Sequence, residues 1–101
     1  PALIALLEAA AIDALAGKLD EGTTSVGTHL DVKHTAATPL GMMVTATATL
    51  TEIDRRRLVF EVLASDEVEE IGRGTHERII VNQAKFETRV SDKLNSEKGA
   101  K

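Results

Sequence analysis

Two side chains in this 101-residue chain have the type and setting that acid–base chemistry needs, Glu8 and His34. Glu8 interrupts a stretch of alanine, leucine and isoleucine, where partial desolvation would favour the protonated carboxyl and suit it to acid, base or nucleophilic work. A glutamate on a narrow solvent-facing stripe fits the same pattern. His34 stands shortly before the small residues Ala36 and Ala37. This setting is typical both of a catalytic or binding site and of a hydrogen-bonded structural histidine.

Composition narrows the classes of function. The chain has no cysteine, which excludes disulfides, thiolate catalysis and cysteine-based zinc sites. Its net charge of -4 argues against a general nucleic-acid surface. No apolar run is long enough to span a bilayer. The three histidines, His29, His34 and His76, have no established metal-ligand spacing. We therefore expect a cytoplasmic protein with no metal, no cofactor, and neither nucleic acid nor membrane as a partner.

The elements that must position these residues follow from periodicity. Strong helix formers with helical apolar spacing predict a helix over residues 2–19. Strand patterns follow over residues 25–35, 42–51, 57–65 and 71–90, joined by short polar turns. Because no helices alternate with these strands, the sheet is expected to be antiparallel. Residues 1–90 are expected to form one domain and residues 91–101 a polar tail.

The strand that leads to His34 alternates strictly in sequence. This alternation predicts one face for Gly27 and the other odd-numbered residues, and the opposite face for a second set: Val26, Thr28, Leu30, Val32 and His34. The chain also opens with Pro1 as the first helical residue, with no capping side chain before it. We therefore expect sequence upstream of Pro1.

Several segments carry a resemblance to a known family. They are Leu6-Leu7-Glu8, Ser-Val-Gly-Thr at 25–28, His-Thr-Ala-Ala-Thr-Pro at 34–39, and Glu-Ile-Gly-Arg-Gly-Thr-His-Glu-Arg at 70–78. These segments resemble the hot-dog-fold acyl-CoA thioesterases, in the branch that includes fluoroacetyl-CoA thioesterase. The resemblance implies an α+β hot-dog fold in which an antiparallel sheet wraps a central helix. It also implies a further strand before that helix, upstream of the chain.

The resemblance also implies a function. It implies hydrolysis of an acyl-CoA thioester to free acid and CoA, in a cleft between two protomers, with Glu8 and His34 as the catalytic residues. Gly27 would present its backbone to the acyl group and Arg78 would lie near the acyl pocket, so both are expected to bind substrate. The family's threonine hydroxyl would stand immediately before Pro1. Whether Glu8 attacks the carbonyl or activates water is left open.

Alternatives on the same fold differ in their products. A non-catalytic acyl-CoA-binding module would keep the pocket and release no thiol, whereas a hydratase would act on an enoyl double bond and leave the thioester intact. The identity of the acyl group does not follow from these residues. Because an open sheet leaves edge strands, we expect a homodimer whose sheets join edge to edge, with a tetramer as the alternative.

Overall fold

The fold is an antiparallel sheet with one helix packed on a face and a second helix at its end. The computed structural model describes residues 2–99, with residues 97–99 described by their backbone alone. The elements are α1 (Ala2–Ala14), β1 (Thr23–His34), β2 (Thr45–Asp54), β3 (Arg57–Ser65), β4 (Glu70–Asn82) and α2 (Gln83–Gly99). The strand order is β1-β4-β3-β2, so β1 and β2 are the edges. The residue and the strand expected before Pro1 lie outside the described residues.

The core forms between α1 and the sheet. Leu7, Ala11 and Leu15 are buried against the inner face of β3 and against Ile71. The β3 residues of this core alternate along the strand as predicted, and they are Leu58, Phe60, Val62 and Ala64. Full burial of each large apolar side chain stabilises the fold by roughly 1.5–3 kcal/mol. None of the helices within residues 2–99 is long and apolar enough to cross a membrane.

Helix α1 is shorter than its sequence predicts, and one side of it is partly exposed. It ends at Ala14 instead of residue 19, and the chain leaves it through a turn in which Gly17 has a φ of 72°. The opposite side of the helix exposes Ile4, Leu6 and Ile12, which are 37%, 37% and 50% accessible. This side of the helix is therefore left partly uncovered by the rest of the chain.

The strand predicted over residues 71–90 ends early. β4 stops at Asn82, and residues 83–90 belong to α2, which continues through the segment predicted as a polar tail. The Asn82 Oδ1 accepts the amide hydrogen of Lys85 at 2.8 Å, which caps the helix. Gln83 also donates to Glu87 one turn later. Helix propensity and this cap outweigh continuation of the strand.

The hairpin between β2 and β3 is tighter than predicted. Its turn contains only Arg55 and Arg56, so β2 continues to Asp54, three residues beyond its predicted end. At its other end, β2 begins at Thr45, three residues later than predicted. Ala46 and Ala48 pack against the core, as their alternation with threonine predicts. The threonine-rich face is turned away from α1.

Candidate functional site

A β-bulge decides which residues of β1 face the helix. The β1–β4 ladder pairs Gly27 with Arg78 and His29 with Glu77, which leaves Thr28 as an extra residue on β1. A Cβ atom built on Gly27 would lie 3.6 Å from the Oε2 atom of Glu8, so Gly27 faces α1. Beyond the bulge the alternation is shifted by one residue. The prediction that Gly27 and His34 lie on opposite faces is therefore wrong.

The side chain of the bulge residue, Thr28, lies on the outer face of the sheet. Thr28 donates its hydroxyl hydrogen to Glu77 Oε2 at 2.6 Å. Glu77 also accepts a hydrogen bond from Arg57. The Thr28 bond first, and then the Arg57 bond, lower the pKa of Glu77. Thr28 is thus held outward by a carboxylate that these contacts keep ionised.

On the inner face, Gly27 lies at the centre of a polar cluster formed with Glu8, His76 and Arg78. A Cβ atom on Gly27 would lie 3.2 Å from His76 Cε1 and 3.4 Å from Arg78 Nη1. His76 is 1% and Arg78 6% exposed. The absence of a side chain at Gly27 therefore provides the space that these two buried side chains occupy.

Arg78 is held from two sides. Its Nε donates to the Ser25 hydroxyl at 2.8 Å and its Nη2 to the Ser25 carbonyl at 2.9 Å. Its Nη1 lies 3.2 Å from His76 Nε2. Burial lowers the pKa of Arg78 and the carboxylate of Glu8 raises it, while a guanidinium keeps its charge under ordinary conditions. The cluster therefore holds a fixed positive charge beside Glu8 and Gly27.

His34 lies apart from this cluster. It is the last residue of β1, pairs with Gly72 in the ladder and is exposed. It lines an open hollow of about 430 Å³ together with Leu3, Leu6 and the residues Ala2, Thr38, Val44 and Ile71. Gly27 lies seven residues earlier, and because Thr28 is an extra residue, the two are about 20 Å apart along the extended strand. The chain thus brings Glu8, Gly27 and Arg78 together and leaves His34 beside the start of α1.

The loop that follows His34 is tied to the β3–β4 connection. Thr38 donates to Asp66 Oδ2 at 3.0 Å. Asp66 Oδ1 accepts the backbone amide hydrogens of Val68 and Glu69, both at 2.8 Å. The amide bonds of Glu69 and Val68, and then the Thr38 hydroxyl, lower the pKa of Asp66. This ionised carboxylate therefore anchors the loop beside His34.

Sequence reasoning did not assign Ser25 or His76 to the site. The available signal was the position of His76 two residues before Arg78 on one strand, which places both side chains on the same face. Among the side chains of residues 2–96, no group of three or more histidines, aspartates and glutamates is arranged to hold a metal ion.

Comparison with known proteins connects this geometry to a family. The family described as fluoroacetyl-CoA-specific thioesterases matches residues 1–84. The fluoroacetyl-CoA thioesterase of Streptantibioticus cattleyicolor is 46% identical over 91 residues, which cover 90% of this chain and 66% of the relative. The chain thus spans just under two thirds of the length of this curated relative.

Solved structures give the same result for the fold. A structure of the fluoroacetyl-CoA thioesterase FlK superposes with a TM-score of 0.86 at 46% identity, over 90% of this chain and 67% of that one. A hot-dog-like protein from Thermanaerovibrio acidaminovorans superposes with a TM-score of 0.86 at 32% identity, over 91% of this chain and 68% of that one. Another structure contains a variant of the FlK enzyme with fluoroacetate and CoA. The predicted hot-dog fold is confirmed.

Proposed function

Because this chain belongs to the family of fluoroacetyl-CoA-specific thioesterases, we propose that it hydrolyses an acyl-CoA thioester to a free acid and CoA. The observation that carries the proposal is the cluster of Glu8, Gly27 and Arg78 on the inner face of the sheet. It combines a carboxylate, a backbone without a side chain in front of it and a fixed positive charge.

These groups suit the chemistry of a thioester. Hydrolysis needs a nucleophile at the carbonyl carbon, a donor for the developing oxyanion and a path for protons. Glu8 attacks the carbonyl itself or removes a proton from the attacking water. Gly27 lets the carbonyl approach the backbone of β1 because no Cβ atom stands in the way. His34 handles the proton that passes to the departing thiol.

The position of His34 makes the site a shared one. Within a protomer it lies too far along β1 from Gly27 to reach Glu8. β1 is an edge strand and is free to pair with a second copy. If two copies pair antiparallel about a twofold axis at Asp31, the bulge at Thr28 brings His34 of each protomer beside Gly27 of the other. Each cleft then contains Glu8 from one protomer and His34 from its partner.

The exposed side of α1 supports a dimer for an independent reason. Ile4 and Leu6 are more than one third exposed, and Leu6 lines the hollow beside His34. When a partner covers apolar surface of this kind, its removal from water stabilises the complex. The homodimer therefore covers the helix face as well as completing the cleft.

The acyl group is the part of the substrate that Arg78 selects. A guanidinium fixed by Ser25 and His76 favours small polar or anionic groups on the acyl chain. The related enzyme acts on fluoroacetyl-CoA, as its name states. Fluoroacetyl-CoA therefore belongs in the first panel of substrates, together with acetyl-CoA and acyl-CoAs that end in a carboxylate.

The test is complementation between two inactive variants. Glu8→Gln and His34→Ala are each expected to lower the rate of thiol release from acyl-CoA by about 10²- to 10⁴-fold. When the two variants are unfolded together and refolded, half of the dimers are mixed, and each mixed dimer contains one cleft with both native residues. The mixture should recover about a quarter of the wild-type rate.

Two results would contradict parts of the proposal. No recovery in a mixture shown by mass spectrometry to contain mixed dimers would mean that Glu8 and His34 do not act across the interface. Binding of acyl-CoA with no thiol release by the wild-type chain, across the whole panel, would instead identify a non-catalytic acyl-CoA-binding module.

A further inference from the structure

We infer that His76 is a positioning residue, which fixes the guanidinium of Arg78 beside Gly27 and Glu8 and thereby sets the acyl preference of the site. This inference rests on the proposed function, since it assigns to Arg78 the selection of the acyl group. His76 forms the buried part of the Gly27 cluster, and its effect on the acyl group passes through Arg78.

The first observation is the burial of a polar ring. His76 is 1% exposed and lies on β4 between Leu30 of β1 and Phe60 of β3 in the ladder. Burial of an imidazole among apolar neighbours is unfavourable unless both ring nitrogens find partners. Both do, in His29 and Arg78. An apolar side chain would fill this space without that requirement, so the hydrogen bonds are what distinguish a histidine here.

The direction of the two bonds follows from chemistry. Arg78 has only donors, so His76 accepts at Nε2 and carries its hydrogen on Nδ1. That Nδ1 hydrogen is donated to the carbonyl of His29 at 2.8 Å. His29 is the first paired residue after the bulge. The ring therefore connects the guanidinium to the backbone of β1 at the point where the bulge turns Gly27 inward.

The consequence concerns the orientation of Arg78. The hydrogen bonds found for its guanidinium go to Ser25 and His76, while Glu8 acts on it only through charge. Without the acceptor on His76, Nη1 loses its partner in a buried place, and the carboxylate that acts on it through charge is that of Glu8. A direct Arg78–Glu8 ion pair would occupy both groups. His76 thus keeps the positive charge near Glu8 without letting the two side chains pair.

Two substitutions distinguish the effects of the two hydrogen bonds that His76 makes, one with His29 and one with Arg78. His76→Asn retains a donor near Nδ1 and removes the acceptor for Arg78, whereas His76→Gln places an acceptor near Nε2. The measurement is the ratio of kcat/KM for succinyl-CoA to that for butyryl-CoA, two substrates of equal chain length that differ in charge. We expect His76→Asn to change this ratio by about tenfold or more, the size of one charged hydrogen bond, and His76→Gln by less than about threefold.

The same measurement in an Arg78→Ala background shows whether the effect passes through Arg78. If it does, His76→Asn produces no further change in the ratio once Arg78 is removed. An unchanged ratio in His76→Asn alone, or an equal change in both backgrounds, would overturn the inference. If His76→Asn does not fold, His76→Phe fills the space without polar atoms and takes its place in both measurements.

A readout independent of activity distinguishes failure of this inference from failure of the proposed function. In ¹⁵N NMR, the Nη–H signals of Arg78, identified by their loss in Arg78→Ala, should exchange slowly with water in the wild type and in His76→Gln, because Nη1 has an acceptor at position 76. They should exchange faster in His76→Asn, which lacks that acceptor. Equal exchange in all three would refute the positioning role, whereas absence of thiol release with normal exchange behaviour would refute only the proposed hydrolysis.

Discussion

Gly27 and His34 face the same side of β1, although the odd–even separation between them would place them on opposite faces of a regular strand. The bulge at Thr28 supplies the one-residue shift. Both parts of the proposed cleft, the Gly27 cluster and the hollow beside His34, therefore open toward α1.

Two single-residue deletions in β1 test this relationship. Deletion of Thr28 joins Gly27 directly to His29 and makes β1 a regular strand, in which Gly27 and His34 stay on one face. We expect this variant to keep thiol release within about tenfold of the wild type. Deletion of the exposed Lys33 is the matched comparison, because it keeps the bulge and moves His34 to the other face, and it should lower thiol release by about 10²-fold or more. Comparable losses in the two deletions would show that the shared face of Gly27 and His34 does not decide activity.

Gly27→Ala should destabilise the fold. The added methyl group would lie 3.2 Å from His76 Cε1 and 3.4 Å from Arg78 Nη1, and hydrogen bonds restrain both of these side chains. Overpacking of this kind costs about 1–3 kcal/mol, measurable by urea unfolding. In a His76→Asn background the nearest ring atom is gone, and the cost of Gly27→Ala should be smaller. An equal cost in both backgrounds would place the strain elsewhere.

Arg78→Ala should change which acyl-CoAs the protein prefers more than it changes the best rate. We expect kcat/KM for carboxylate-bearing acyl-CoAs to fall by about tenfold relative to uncharged ones, because the fixed positive charge is lost. Arg73→Ala is a suitable control, since Arg73 pairs with Glu70 and is exposed. A uniform loss of rate across the panel would make Arg78 catalytic or structural.

Asp66 should make stability depend on pH in the acidic range. Its pKa is lowered in the folded state by the amides of Glu69 and Val68, then by Thr38. Its stabilising contribution is therefore complete above the unfolded-state pKa of about 4 and is lost as pH falls through the lower folded-state value. Asp66→Asn should reduce the free energy of unfolding at pH 7, and the difference from wild type should shrink at pH 3. Urea unfolding at both pH values provides the check, and a difference that grew on acidification would contradict it.

The sequence by itself determined the elements whose signal is local. The alternation of Leu58, Phe60, Val62 and Ala64 predicted the buried face of β3, and the segment bounds of that strand agree with the structure. The assignment of Glu8, Gly27, His34 and Arg78 to a catalytic site came from the family resemblance and remains a prediction, as does the homodimer.

Tertiary structure decided the features that depend on partners distant in sequence. Thr28 is a residue type common in regular strands, so the sequence pattern alone could not locate the bulge there. The extra residue nevertheless changes which face of the sheet each residue from His29 to His34 occupies, relative to a regular strand. Residues 83–90 became helical where no neighbouring strand was left to pair with and Asn82 offered a cap. The role inferred for His76 depends on a carbonyl 47 positions away in sequence and on a guanidinium two positions away. Only the folding of β1 against β4 brings these three groups together.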